Sequence, residues 1–153
     1  MKKTLALLLA LVCIVSLFAG CGSSKKTMEP RAFVDDVLAN ANFTDSLSQL
    51  DDAVIPQYYG VDAADYKSAI VYCGTAATAE QIVCFEAVDS AAAERLLAAL
   101  KTFVADKVEA YKSYGPAAAM SLENAPVKII GNYVIAVVCA DSDSAAKVVD
   151  QYA

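Results

Sequence analysis

The chain contains no histidine. That removes the side chain that most often acts as a general base near neutral pH, and the commonest metal ligand. A histidine-containing catalytic triad and the mixed Cys–His zinc sites are excluded with it. Nor does the sequence carry a phosphate-binding glycine loop, an HExxH pair or calcium-loop spacing. Its 5 cysteines include no CxxC pair. Positive charge is scarce, with 12 Lys and Arg against 18 Asp and Glu, for a formal net charge of -6. An acidic surface repels phosphate backbones, so nucleic acid is not an expected partner. No cofactor or metal is expected either.

What the sequence does contain begins with an apolar run. Lys2 and Lys3 precede Thr4–Gly20, which holds no charge. A helix of that length spans about 26 Å at 1.5 Å per residue. A membrane-spanning helix needs roughly 20 residues, so the run is short for a span. A basic start, an apolar core and small residues before a break describe a secretory signal peptide. The segment Phe18-Ala19-Gly20-Cys21 resembles a bacterial lipobox, with Phe18 where an aliphatic residue, often leucine, usually stands. The resemblance implies that residues 1–20 are removed and that Cys21 receives a thioether-linked diacylglycerol. The rival is an uncleaved signal anchor with a structural cysteine. More than one acyl chain gives stable anchoring where a single chain binds only marginally. The expected location is the extracytoplasmic face of the bacterial cell membrane, with membrane lipid as the partner of Cys21. Loss of Lys2 and Lys3 would take the formal charge from -6 to -8.

Residues 21–29 then read as a flexible tether, polar and ended by Pro30. Residues 30–153 suffice for one domain with one sizeable core. PRAFVDDVLANANF places Phe33, Val34, Val37 and Leu38 on a helical stripe. Leu47, Leu50 and Val54 recur at intervals of three and four, which predicts a second short helix ending before Pro56. SAIVYCG (68–74) and QIVCFEAVD (81–89) read as strands. In the second, Glu86 should be wet, which turns Val83 and Phe85 toward the core. Ala91–Tyr114 is predicted as the longest helix, capped by Asp89 or Ser90 and stopped at Gly115-Pro116. The segment AAAMSLEN is ambiguous between helix and loop. Gly131-Asn132 reads as a type II′ reversal between strands at Val127–Ile130 and Tyr133–Cys139. A last helix follows Asp141. The order α-α-β-β-α-β-β-α predicts a two-layer α+β fold. Its sheet would be four-stranded and mainly antiparallel, with helices mostly on one face.

Candidate functional residues are few. Asp35-Asp36 and Asp51-Asp52 are adjacent pairs, and helical neighbours point about 100° apart, so neither makes a paired-carboxylate site. Cys73, Cys84 and Cys139 each fall in a predicted strand. Cys73 and Cys84 would reach each other as a disulfide if they opposed one another. The simpler expectation is three small core residues. Tyr58, Tyr59, Tyr66 and Tyr72 fall within fifteen residues. A tyrosine offers a rigid apolar body with a polar tip, suited to peptide or glycan. Tyr58, Tyr59 and Tyr72, with Glu86, are the candidate ligand-binding residues, against a bland reading as core and exposed strand positions.

Several pieces resemble a bacterial lipoprotein family catalogued as domain of unknown function 4358. They are Tyr59-Gly60-Val61, Tyr72-Cys73-Gly74, Ala77 through Ile82, Phe85, the DSAAAERLL helix, Leu122 through Ala125, Gly131 through Val134, and Val137 through Cys139. The family often has a second glycine where Ala76 or Ala77 stands, so this loop is expected to be stiffer here. The resemblance implies lipidation and a single extracellular domain. It supplies no catalytic residues. The expected function is a non-enzymatic binding or envelope-interaction module. The alternatives are a small-ligand or peptide solute-binding accessory and a hydrolase working with carboxylates.

Overall fold

A computed structural model describes residues 26–153. The signal-peptide segment and Cys21 lie outside the described residues. Among those described, no helix is long and apolar enough to cross a membrane.

Helix α1 (Pro30–Asn40) starts where the Glu29 carboxylate accepts the Arg31 and Ala32 amides and Pro30 takes the first turn. These are groups that a helix start otherwise leaves unpaired. Its buried face is Phe33, Val34 and Val37, while Leu38 lies at the exposed edge. Residues 26–29 run along the domain. The Lys26 amide donates to Gln151 O, its ammonium contacts Asp36, and Met28 packs on the core.

The five-stranded sheet is antiparallel throughout, in the order β1-β2-β3-β5-β4. Its strands are β1 (Ser48–Gln49), β2 (Tyr66–Cys73), β3 (Gln81–Ala87), β4 (Val127–Ile130) and β5 (Tyr133–Val138). Helices α2 (Ile55–Tyr59), α3 (Ser90–Tyr111), α4 (Pro116–Glu123) and α5 (Ser142–Val149) complete the chain. The predicted four-stranded, two-layer arrangement is therefore corrected in strand number, element order and layering.

The physical reason for the layering lies in β3. This central strand is buried along its length except at Glu86. Ile82 and Cys84 pack with α1 and α5 on one face, beside Ile135 and Val137. Val83, Phe85 and Ala87 pack with α2 and α3 on the other, beside Val134 and Ala136. Alternation along the strand thus sorts side chains between two cores rather than between core and water.

Two local corrections follow from the same logic. Leu47 and Leu50 flank the two-residue β1, which pairs with Cys73 and Tyr72. A three-residue step in extended chain sends them to opposite faces, Leu47 to the α1 side and Leu50 to the α3 side. Pro56 opens a helix instead of ending one, since a first-turn residue needs no amide hydrogen.

Helix α3 is capped by the Asp89 carboxylate, which accepts the Ala92 amide at 2.7 Å. It ends at Tyr111, and α4 folds back on it through Ala118, Ala119 and Leu122. The β4–β5 reversal is closed by the Ile130–Tyr133 pair, with Gly131 at φ 59, a conformation that glycine adopts without penalty.

Candidate functional site

A cleft of about 100 Å³ opens where the β2–β3 turn meets α2 and the C-terminal half of α3. Phe103, Lys107 and Tyr111 supply one wall. Their four-residue spacing places them on one stripe of α3. Tyr58 comes from α2, Cys73 from the end of β2, and Gln81 from the start of β3. The turn Gly74–Glu80 closes the space.

That turn is held by two carboxylates. Asp45 accepts the Thr75 amide and hydroxyl, each at 2.6 Å, and the Thr78 hydroxyl at 3.0 Å. Hydrogen bonds from Thr75 foremost hold its carboxyl down at about 2. A Cβ on Gly74 would lie 3.0 Å from Asp45 Oδ2 and 3.1 Å from a Leu47 methyl, so any larger residue there would push these two side chains back by a few tenths of an ångström. Glu80 is 2 % exposed. It accepts the Thr44, Asp45 and Ala140 amides and the Thr44 hydroxyl at 2.8–3.0 Å. Those donors sit where the α1–β1 connection and the exit of β5 leave the sheet ladder, and Glu80 supplies the acceptor that the ladder does not. The turn also holds Ala79 at φ 57, a left-handed conformation that costs a non-glycine residue about 1–2 kcal/mol. Helix α3 adds a further tie, because the Tyr111 hydroxyl donates to Ala76 O.

An aromatic cluster backs the cleft. Tyr59 stands 4.9 Å from Tyr58 and 4.7 Å from Phe103, measured between ring centroids. The Lys107 ammonium lies 5.5 Å from the Tyr58 ring centre and 5.3 Å from that of Phe103, within cation–π range. The Tyr59 hydroxyl donates to Gln81 Oε1 at 2.7 Å and lies 3.7 Å from Cys73 Sγ. Burial pushes the Tyr59 hydroxyl well above its ordinary value, with Cys73 adding to the rise. Burial likewise raises the Cys73 thiol, against smaller lowering by Tyr59 and Lys107. A thiol held protonated in this way is a poor nucleophile. The cleft therefore offers rings, one cation and hydrogen-bond donors rather than an activated attacking group.

The structure brings two of the four candidate ligand-binding residues together and separates the others. Tyr58 lines the cleft and Tyr59 stands behind it. Tyr72 packs against the α1 side of the sheet, where its hydroxyl accepts from Arg31 at 3.1 Å. Glu86 sits farther along β3, where the Ser68 hydroxyl donates to it at 3.1 Å and the Lys67 ammonium forms an ion pair with it at 3.7 Å. Sequence reasoning did not single out Glu80, Gln81 or Lys107 as site residues. The spacing of Phe103, Lys107 and Tyr111 was the available signal. Cys21 lies outside the described residues.

Among the described residues, no group of three or more Cys, Asp and Glu is arranged to hold a metal ion. The family model described as Domain of unknown function (DUF4358) matches residues 39–139, which include the turn, Tyr58 and the α3 wall. The chain belongs to that family. No curated protein and no solved structure matches it.

Proposed function

We propose that this member of the DUF4358 family is a lipid-anchored extracytoplasmic protein whose domain binds a ligand, without chemistry, in the Tyr58–Lys107 cleft. The anchoring part rests on Phe18–Cys21 and the short apolar run before it. Diacylglyceryl-Cys21 would hold the domain at the outer face of the bacterial cell membrane. The binding part rests on one observation above all: an aromatic-walled cleft whose turn is fastened on both sides by Asp45 and Glu80. A site fixed before binding loses less freedom when it is filled.

The first described residue and the cleft sit on different layers. Lys26, the first described residue, is tied to Asp36 of α1 and to Gln151 beyond α5. The cleft belongs to the α2–α3 side of the sheet. A tether arriving on one layer leaves the other free for a ligand. A carboxylate hydrolase finds less support. Glu80 spends its oxygens on backbone donors, and Glu86 is paired with Lys67. A contact with an envelope protein is a second reading, favoured by Tyr114 and Met120 at 68 % and 61 % exposed.

Two experiments test this. Cys21→Ala in the native host should release the protein from the membrane fraction and abolish the lipid mass increment. Unchanged retention and mass would refute the anchor. A photo-crosslinking residue at position 58 should capture material in living cells that the same residue at the exposed position 39 on α1 does not. Equal capture at both positions, or capture at 58 unaffected by Phe103→Ala, would refute the cleft as the binding site.

A further inference from the structure

The cleft is unbalanced in its hydrogen bonding. Three of its acceptor groups are taken, and three of its side-chain donors are not. Ala76 O is taken by the Tyr111 hydroxyl. The Glu80 carboxylate is taken by Thr44, Asp45 and Ala140. Gln81 Oε1 is taken by Tyr59. On the donor side, Gln81 is 4 % exposed, yet its Nε2 has no protein acceptor among the described residues. No sealed side-chain polar atom in those residues lacks a partner, so Nε2 opens onto the cleft that Gln81 lines. Among the described residues, Lys107 has no carboxylate within salt-bridge distance. Its ammonium rests on the Tyr58 and Phe103 rings. The Tyr58 hydroxyl is likewise uncommitted, since it takes part in no hydrogen bond among the described residues.

We infer that the cleft receives a carboxylate, carried by a small solute or by the C-terminus of a short peptide, with Lys107 and Gln81 as its donors. This rests on the reading of the cleft as the binding site. A carboxylate only accepts hydrogen bonds, which matches a cleft with donors to spare. Pairing it with an ammonium and an amide N–H gives charge-assisted bonds, roughly twice as strong as neutral ones. One facing cation suits one negative charge better than a phosphate dianion. The volume of about 100 Å³ suits a group of a few heavy atoms, with the rings left to flank a short apolar substituent. The acidic surface would repel anions at long range, so binding depends on these local donors.

The test is an NMR titration of the isotope-labelled full chain in detergent, following the Gln81 side-chain amide. The probes are N-acetylalanine, its neutral amide, trialanine as free acid and as amide, and inorganic phosphate. The free acids should shift the Gln81 amide and the amides should not. Lys107→Met should weaken binding roughly tenfold or more, the loss expected for a hydrogen bond to a charged group, and Lys107→Arg should retain most of it. Tighter binding of trialanine than of N-acetylalanine would assign a peptide end, and equal binding a small solute. Acid and amide acting alike on Gln81 would overturn the carboxylate and leave the cleft as a binding site. Phosphate matching the acids, or no probe shifting Gln81, would also overturn it. The position-58 crosslinks then decide separately whether the cleft binds anything.

Discussion

Thr44 gives both its backbone amide and its hydroxyl to the Glu80 carboxylate, at 2.9 and 3.0 Å. Asp45 and Ala140 add their amides to the same group. One buried side chain thereby joins the α1–β1 connection, the start of β3 and the exit of β5.

Glu80→Gln keeps the shape of that junction and spoils its chemistry. One carboxylate oxygen becomes an NH₂ group, which faces amide donors it cannot accept. A buried donor left unsatisfied costs about 1–3 kcal/mol, and more where a charged partner is lost. The expected loss in urea unfolding is about 2 kcal/mol or more. Thr44→Val, which removes only the hydroxyl donor, should cost about 1 kcal/mol. A Glu80→Gln variant as stable as the parent would show that these bonds contribute nothing net.

Asp45 should make the fold acid-sensitive in a defined window. Its folded value of about 2 lies below the ordinary 3.8 expected when the chain is unfolded. A depressed carboxyl stabilises the fold above its unfolded value, and that contribution is lost as pH falls toward the folded value. The Asp45 share should therefore be whole above about pH 4 and disappear between pH 4 and 2. Carbon-detected titration of the Asp45 carboxyl reads the midpoint directly. Thr75→Val, which removes one of the strongest of its bonds, should move that midpoint upward. Asp45→Asn should remove this part of the acid transition. An Asp45 midpoint near 4 in the parent would contradict the geometry around Thr75.

The fold and the cleft were unequally legible in the sequence. Helices α1 and α3 announce themselves through Pro30, Asp89 and stripes such as Phe33–Val37 and Leu96–Leu100, because their signals are local. The β1 strand does not. Leu47 and Leu50 sit three apart, which is helical spacing in a string of letters and opposite faces in a strand. The two cores were hidden by Glu86. Its charge makes one face of β3 look wet, although Ile82 and Cys84 on that face are buried under α1 and α5. Tyr58 and Tyr59 were visible as aromatics, yet what sets them apart from Tyr72 is the sheet face each one meets. Glu80 could not be read at all. Its burial depends on amides 36, 35 and 60 residues away in sequence, and no local pattern encodes their convergence.

The cysteines allow a last prediction from strand register. Cys73 pairs with Gln81 across the β2–β3 ladder, whereas Cys84 pairs with Ile70. Cys73 packs on the α3 side and Cys84 on the α1 side, so the sheet itself separates their sulfurs. All three described cysteines are free. Burial pushes the Cys84 thiol up to about 12 and raises Cys139 and Cys73 as well. At pH 8 that rise alone lowers the thiolate fraction of Cys84 about a thousandfold, and the thiolate is the reactive form. Alkylation of the folded chain, mapped by peptide mass, should leave Cys84 and Cys139 essentially unmodified. Cys73, half-buried in the cleft wall, should react sooner than either but more slowly than in urea. Rapid alkylation of Cys84 in the folded state would refute its place in the core. A mass loss of two hydrogens linking Cys73 to Cys84 would refute the register that puts them on opposite faces.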